Sequence, residues 1–222
     1  MPQFDFDKNY IKNIIFDLDG VLVSSVSVCI KAATKALAEI GISATPETFS
    51  HYIGAGEDKF ISGPLAENKK EHLAEKALGR LYDLFEQYVY TDLKVFPSAH
   101  TVLGELKNQG FHLAIASSSA FEKVRMTLDA AKIPEDIFDV IITGSDVSQR
   151  KPSPEIYFAA MDELDADPEE CIIVEDALNG IRAAKSADAF CFAVTTSFPK
   201  DILEKENPDF IADDIIKLLD IL

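Results

Sequence analysis

The stretch NIIFDLDGVLVSS, residues 13–25, decides the fold of this chain. Its apolar run at 14–16 predicts a buried β-strand. Asp17 and Asp19 follow at once, with a single leucine between them. Carboxylates at the edge of an apolar core are costly unless they are paired, protonated or bound to a cation. The stretch therefore predicts a strand that delivers two carboxylates to a functional site.

Further runs rich in β-branched and aromatic residues each predict a strand. Amphipathic stretches lie between most of them, such as 100–110, which ends with Gly110 where a C-terminal cap belongs. Apolar strands that alternate with helices predict an α/β fold, a Rossmann-like parallel sheet covered on both faces. The predicted strands after the first are at 112–116, 139–143, 171–174, 190–194 and 209–212.

Only helical patterns are found between the first two predicted strands, from about Ser25 to Tyr90. We expect residues 25–96 to form a helical cap inserted into an α/β core made of residues 1–24 and 97–222. Its two connections, near Ser24 and at 91–96, are the predicted hinges. A two-hinged insertion is suited to opening and closing over a site.

The composition excludes several kinds of partner. The chain has 222 residues with 21 Lys+Arg and 38 Asp+Glu, and its formal charge of −17 disfavours nucleic acid and anionic membranes. Three widely spaced cysteines without a CxxC motif predict a reduced, cytoplasmic protein. The N-terminus lacks a secretory pattern, and no apolar run approaches the roughly twenty residues of a membrane helix.

Ligands of open parallel sheets bind beyond the carboxyl ends of the strands, so the polar residues there are candidates for chemistry. An all-oxygen set of carboxylates without nearby His or Cys favours a hard cation, Mg²⁺ first. The residues that follow the predicted strands are Asp17, Asp19, Ser117, Ser118, Ser119, Lys151, Glu175 and Asp176.

Simpler interpretations are open for some of these residues. The three serines at 117–119 are also suited to cap the next helix, and a serine hydroxyl with helix amides also makes a phosphate cradle. Glu175 and Asp176 precede a helical pattern, where acidic residues favour the helix dipole. Lys151 stands before a predicted helix start, an unfavourable place for a cation unless it reaches water or meets an anion.

Four segments, in this order and at these separations, resemble the four motifs of the haloacid dehalogenase superfamily, in the branch of β-phosphoglucomutases and phosphoglycolate phosphatases. The resemblance covers essentially the whole chain and includes the helical cap. It implies the fold of that superfamily. The segments are FDLDGVLV (16–23), IASSS (115–119), KPSPEIY (151–157) and VEDALNGIRAA (174–184).

The resemblance implies that Asp17 is a nucleophile that becomes an aspartyl phosphate, and that Asp19 is a general acid and then a general base. The i, i+2 spacing in an extended segment points both side chains to one side, and Gly20 permits the tight turn after them. The family resemblance also implies a bound Mg²⁺. Its ligands would be Asp17, the backbone carbonyl of Asp19, Asp176 and, directly or through water, Glu175. The implied phosphate-binding residues are Ser117, Ser118 and Lys151.

Departures from the branch decide between hydrolysis and mutase chemistry. Cys29 stands where the β-phosphoglucomutases have a cap histidine, and the cap loop at 54–60 lacks their arginine. We therefore predict a Mg²⁺-dependent phosphatase, with a phosphomutase as the alternative. The loop residues expected to select the substrate are Glu57, Asp58 and Lys59.

Two other classes of protein also fit parts of the pattern. A signalling receiver domain has an acidic pair, a phosphorylated aspartate and a lysine, but its acidic pair precedes that aspartate. A catalytically inactive phosphate sensor is disfavoured because the acidic and basic residues of the four motifs, Asp17, Asp19, Lys151 and Asp176, are all present.

The predicted cap restricts the substrate. A closed cap favours a small phosphate ester of hexose, sugar-alcohol or glycolate type. A capped unit of this size is expected to work as a monomer.

Overall fold

The structure is a computed structural model that describes residues 8–52 and 56–222, without the side chain of His51. The predicted contribution of residues 1–7 to the core, and of Gly54 to the cap loop, lies outside the described residues. In the described part, the strands are β1 (Asn13–Phe16), β2 (Val23–Ser24), β3 (Lys94–Val95), β4 (His112–Ala116), β5 (Val140–Ile142), β6 (Cys171–Glu175), β7 (Phe190–Val194) and β8 (Phe210–Ala212).

The helices alternate with the strands of the core, as the sequence pattern predicts. In the same described part they are α1 (Val26–Glu39), α2 (Lys59–Glu67), α3 (Ala74–Asp92), α4 (Ala99–Asn108), α5 (Phe121–Ala131), α6 (Glu155–Leu164), α7 (Leu178–Ser186), α8 (Lys200–Leu203) and α9 (Leu218–Ile221). Short 3₁₀ helices span Pro46–Tyr52, Glu71–Leu73, Glu135–Ile137, Pro168–Glu170, Glu204–Glu206 and Ile215–Lys217.

Six strands form one parallel sheet in the order β5-β4-β1-β6-β7-β8. All four residues of β1 are buried, because Ile14 and Phe16 face one apolar cluster and Ile15 faces the other. Both faces of the sheet are therefore covered, which confirms the predicted α/β class and explains why the central strand is continuously apolar.

Helices α1 to α3 pack on each other around an apolar cluster of their own. In α1 the buried positions include Cys29, Ala32, Ala33 and Leu37, the spacing of one helix face. Met126 and Ala130 of α5 also contact this cluster, so the helical segment lies against the core. Whether residues 25–96 move as a unit stays a prediction.

Strands β2 and β3, which the sequence pattern did not indicate, join the two ends of the helical segment. Val23 pairs with Val95 and Ser24 with Lys94 in an antiparallel ladder. The chain thus leaves and re-enters the core side by side, at the two predicted hinges. Within the described residues, no helix is long and apolar enough to cross a membrane.

Candidate active site

The carboxyl ends of β1, β4 and β6 open into a cleft beneath the helical segment. Phe16 of β1 is in register with Ile115 of β4 and Val174 of β6, so the residues that follow these three strands meet at one edge. The cleft has an empty volume of about 760 Å³, including its opening to solvent. Residues of the helical segment and of the core both line the cleft, so a ligand bound there would lie between them.

Asp17 lies on the floor of the cleft and is only 8% exposed. The ammonium of Lys151 donates hydrogen bonds to Asp17 Oδ1 at 2.6 Å, to Glu175 Oε1 at 2.7 Å and to the carbonyl of Ala116 at 2.8 Å. Burial raises the pKa of Asp17 to about 7, with Glu175 and Asp19 adding to the rise and Lys151 opposing it. One lysine therefore does not offset the negative charge around Asp17.

Glu175 has hydrogen-bond donors on both of its carboxylate oxygens. Oε1 accepts from Lys151 and from the hydroxyl of Tyr157 at 2.6 Å, and Oε2 accepts from the backbone amides of Asp176 and Ala177 at 3.0 and 3.2 Å. These contacts hold the carboxylate in place behind Lys151. A metal-binding role for Glu175 stays a prediction, and its geometry favours positioning Lys151.

Asp19 is held by a lysine of its own, Lys123 of α5. Lys123 is 3% exposed, and its ammonium donates to Asp19 Oδ2 at 2.6 Å and to Ser119 Oγ at 2.9 Å. Ser25 also donates to Asp19. Although burial raises it, the pKa of Asp19 lies below its ordinary value because Lys123 and Ser25 stabilise the carboxylate. The two aspartates therefore have separate partners and different proton affinities.

Lys123 is a charged site residue that the sequence pattern did not single out, and neither did it single out the hydroxyl donors Ser25 and Ser197. The buried face of α5 carries Lys123 together with Val124, Thr127, Leu128 and Ala131. A lysine on the apolar stripe of an amphipathic helix was the available signal, because a buried cation requires a partner. The sequence did not say which carboxylate that partner is.

Asp176 is buried beside the turn that follows β1. A side chain at Gly20, whose φ is +93°, would overlap the Asp176 carboxyl group, so the close approach and the backbone conformation both require glycine. Ser197 donates to Asp176. Burial, Glu175 and Asp17 raise the pKa of Asp176 well above its ordinary value. This excess of buried negative charge favours binding of a cation.

The donor set fits Mg²⁺. No three His, Cys, Asp or Glu side chains of the described residues converge as a ready-made metal cluster. Mg²⁺ needs only one or two carboxylates, since water and other oxygen atoms complete its shell. Asp17 and Asp176 supply two buried carboxylates whose negative charge is not balanced by nearby cations. Oxygen ligands of this kind select a hard ion.

The serines after β4 line the cleft, and part of their hydrogen-bonding capacity is used within the protein. Ser117 is buried, and its Oγ accepts from the Ser119 amide at 3.2 Å. The amides of Ala120 and Phe121, at the start of α5, donate to Glu57 and Ser145. These two helix amides therefore have protein partners, and a phosphate-binding role for Ser117 and Ser118 stays a prediction.

The structure separates the three cap-loop residues. Glu57 is buried in the wall of the cleft, whereas Asp58 forms an ion pair with Arg150 of the core. The side chain of Lys59 is half exposed, and its ammonium lies 3.9 Å from the carboxylate of Asp58. Of these three residues, Glu57 lines the cleft and Asp58 and Lys59 do not. A substrate-selecting role for the loop stays a prediction.

The raised pKa of Asp17 predicts how stability depends on pH. An unfolded aspartate titrates near 3.9 and Asp17 near 7. The folded protein therefore binds more protons between these values, and without cation its stability falls as pH rises through this window. We expect Mg²⁺ to raise the melting temperature more at pH 8 than at pH 5.5. Thermal unfolding with EDTA or Mg²⁺ checks this. Asp17→Asn should reduce the difference, and the raised pKa of Asp176 should account for what remains. Equal Mg²⁺ shifts at both pH values would contradict the prediction.

Comparison with known proteins identifies the family and the fold. The haloacid dehalogenase-like hydrolase family matches residues 14–194. A phosphoglycolate phosphatase of Aquifex aeolicus is 31% identical over 93% of this chain and 96% of its own. A solved structure, described as a predicted phosphoglycolate phosphatase from Haemophilus somnus, has 24% identity and a TM-score of 0.85 over 96% of this chain and 98% of its own.

The chain belongs to the haloacid dehalogenase-like hydrolase family. Within it, the Arabidopsis thaliana protein SUPPRESSOR OF QUENCHING 1, chloroplastic, is 34% identical over 97% of this chain. This chain spans 21% of the length of that relative, so the similarity concerns one part of the plant protein. The resemblance noted in the four sequence motifs is thus confirmed at the level of the family.

Proposed function

We propose that this hydrolase is a Mg²⁺-dependent phosphatase that cleaves the phosphoric monoester of a small metabolite through an aspartyl-phosphate intermediate on Asp17. The observation that carries the proposal is the pair of aspartates in one cleft, Asp17 bound by Lys151 and Asp19 bound by Lys123. Relatives named phosphoglycolate phosphatase support the same reaction class.

Two carboxylates with separate partners can divide the chemistry. Asp17 attacks phosphorus and forms an acyl phosphate, while the ester oxygen leaves with a proton from Asp19. Asp19 then takes a proton from water, whose oxygen attacks phosphorus and releases Asp17. Asp19 must carry a proton before it can act as an acid, and Lys123 lowers its pKa. The incoming phosphoryl group adds negative charge beside Asp19, which raises that pKa again and favours uptake of the proton.

Asp17, Asp176 and the backbone carbonyl of Asp19 would hold the ion. When bound, Mg²⁺ supplies positive charge that reduces repulsion between a carboxylate nucleophile and an anionic ester. Lys151 keeps Asp17 oriented, and Ser117 and Ser118 bind phosphoryl oxygens. The helical segment excludes bulk water. We propose that the protein works as a monomer, and the cytosol stays the predicted compartment.

Mutase chemistry is the less favoured alternative, because a bisphosphate intermediate needs cations at both ends of the cleft. Among the described residues lining the cleft, the lysines are Lys123 and Lys151, and both are already paired with carboxylates. The cap contributes Glu57 and Cys29 instead. Burial raises the pKa of the Cys29 thiol, which keeps it protonated and unsuited to replace a histidine.

A panel assay of the purified protein tests the proposal. Inorganic phosphate is followed from sugar, polyol and glycolate phosphates, and glucose 6-phosphate is followed from β-glucose 1-phosphate with bisphosphate primer. We expect phosphate release that EDTA abolishes and Mg²⁺ restores. Isomerisation without phosphate release would favour the mutase, and full activity in EDTA would remove the metal from the proposal.

A further inference from the structure

Glu57 is a buried acidic residue of the cap that lines the cleft, and it is 4% exposed. Its Oε1 accepts from the hydroxyl of Tyr82 at 2.8 Å and from the amide of Ala120 at 2.9 Å. Its other oxygen, Oε2, is buried without a hydrogen-bond partner among the described residues. A buried acceptor without a donor is unfavourable, so Oε2 provides a place for a donor carried by a ligand.

The charges around the cleft restrict what that ligand can carry. The acidic side chains outnumber the basic ones among the described residues that line it, and both lysines are already in ion pairs. An anionic group on the organic portion of the substrate would therefore face Glu57 without a free cation to balance it. The charged residues of this lining are Asp17, Asp19, Glu57, Glu175, Asp176, Lys123 and Lys151.

We propose, on the basis of the proposed phosphatase function, that Glu57 selects the organic portion of the substrate by accepting a hydrogen bond from its hydroxyl or amino group. The substrate class is a phosphate ester of a polyol or an amino alcohol. Phosphoglycolate is rejected, because its carboxylate meets the carboxylate of Glu57. This chain then differs in specificity from the relatives that are named after phosphoglycolate.

A latch between cap and core is the competing role for Glu57, since Ala120 belongs to the core and Tyr82 to the cap. Glu57→Gln separates the two roles. The glutamine side chain keeps an oxygen for Tyr82 and Ala120, but it removes the charge and replaces the second oxygen with a donor. Asp58→Asn is the matched control, because it weakens a neighbouring contact between cap and core, the pair with Arg150, outside the cleft lining.

The experiment measures kcat/KM with Mg²⁺ for three small esters: glycerol 3-phosphate, phosphoethanolamine and 2-phosphoglycolate. We expect the wild type to prefer one of the first two over 2-phosphoglycolate by at least about tenfold, the size of one buried polar interaction. Glu57→Gln should reduce this preference by a similar factor. Asp58→Asn should change all three values together and leave their ratios unaltered.

Binding measurements keep this inference separate from the proposed reaction. In an Asp17→Asn background, calorimetry gives Kd for the same esters with and without Glu57→Gln. A binding preference among the esters that is lost in Glu57→Gln supports the inference about Glu57. This holds even if the wild type releases no phosphate, because absence of phosphate release would refute only the proposed phosphatase activity. Tighter binding of 2-phosphoglycolate, or an equal loss for all esters in Glu57→Gln, overturns the inference.

Discussion

Asp17→Asn is expected to lower kcat for phosphate release by at least about 10³-fold, because an amide cannot form the acyl phosphate. The folded structure should persist. The amide oxygen of asparagine can still accept the hydrogen bond from Lys151, and the variant no longer buries a carboxylate whose pKa is raised to about 7. Its melting temperature at pH 8 without Mg²⁺ should therefore equal or exceed that of the wild type.

Steady-state phosphate release and circular dichroism check this expectation. Asp220→Asn is the matched control, since the side chain of Asp220 is largely exposed at the end of the chain and pairs with Lys217 far from the cleft. Acid quenching of the wild type during turnover should reveal a phosphate group on Asp17 by mass spectrometry. Near-normal activity of Asp17→Asn would exclude the covalent mechanism.

Lys123→Met is expected to lower both stability and activity. The substitution leaves the carboxylate of Asp19, whose side chain is 17% exposed, without its cation. Breaking a fully buried ion pair costs about 3–5 kcal/mol of unfolding free energy, so we expect a loss of up to about 3 kcal/mol here. It also removes the group that orients Asp19 for proton transfer, a step worth about 10²-fold or more in rate. Urea denaturation and kcat measurements check the two effects.

A double variant separates the two contributions of Lys123. Lys123→Met with Asp19→Asn contains no unpaired charge, so stability should recover relative to Lys123→Met while activity stays low. Lys132→Met is the control, because Lys132 follows the same helix and its side chain is 75% exposed. If Lys123→Met is as stable and active as Lys132→Met, the ion pair with Asp19 has no functional role.

Local pattern was enough to predict most of the fold. Each buried strand of the parallel sheet is an apolar run with breakers at its ends, and that pattern depends on neighbours in the chain rather than on distant contacts. The ladder of Val23–Ser24 with Lys94–Val95 was missed. It is two residues long on each side, too short for a periodic signal, and it forms only because the two hinge segments are brought together in space.

The sequence by itself determined the four segments that reach the sheet edge, because residues that follow parallel strands share that edge whatever the details of packing. Tertiary structure alone decided the pairing of charges. It placed Lys151 on Asp17 and Glu175, Lys123 on Asp19, and Glu57 in the cleft wall. These contacts join residues 24 to 134 positions apart. A buried charge pairs with whichever partner the folded core brings near it, and no local pattern specifies that partner.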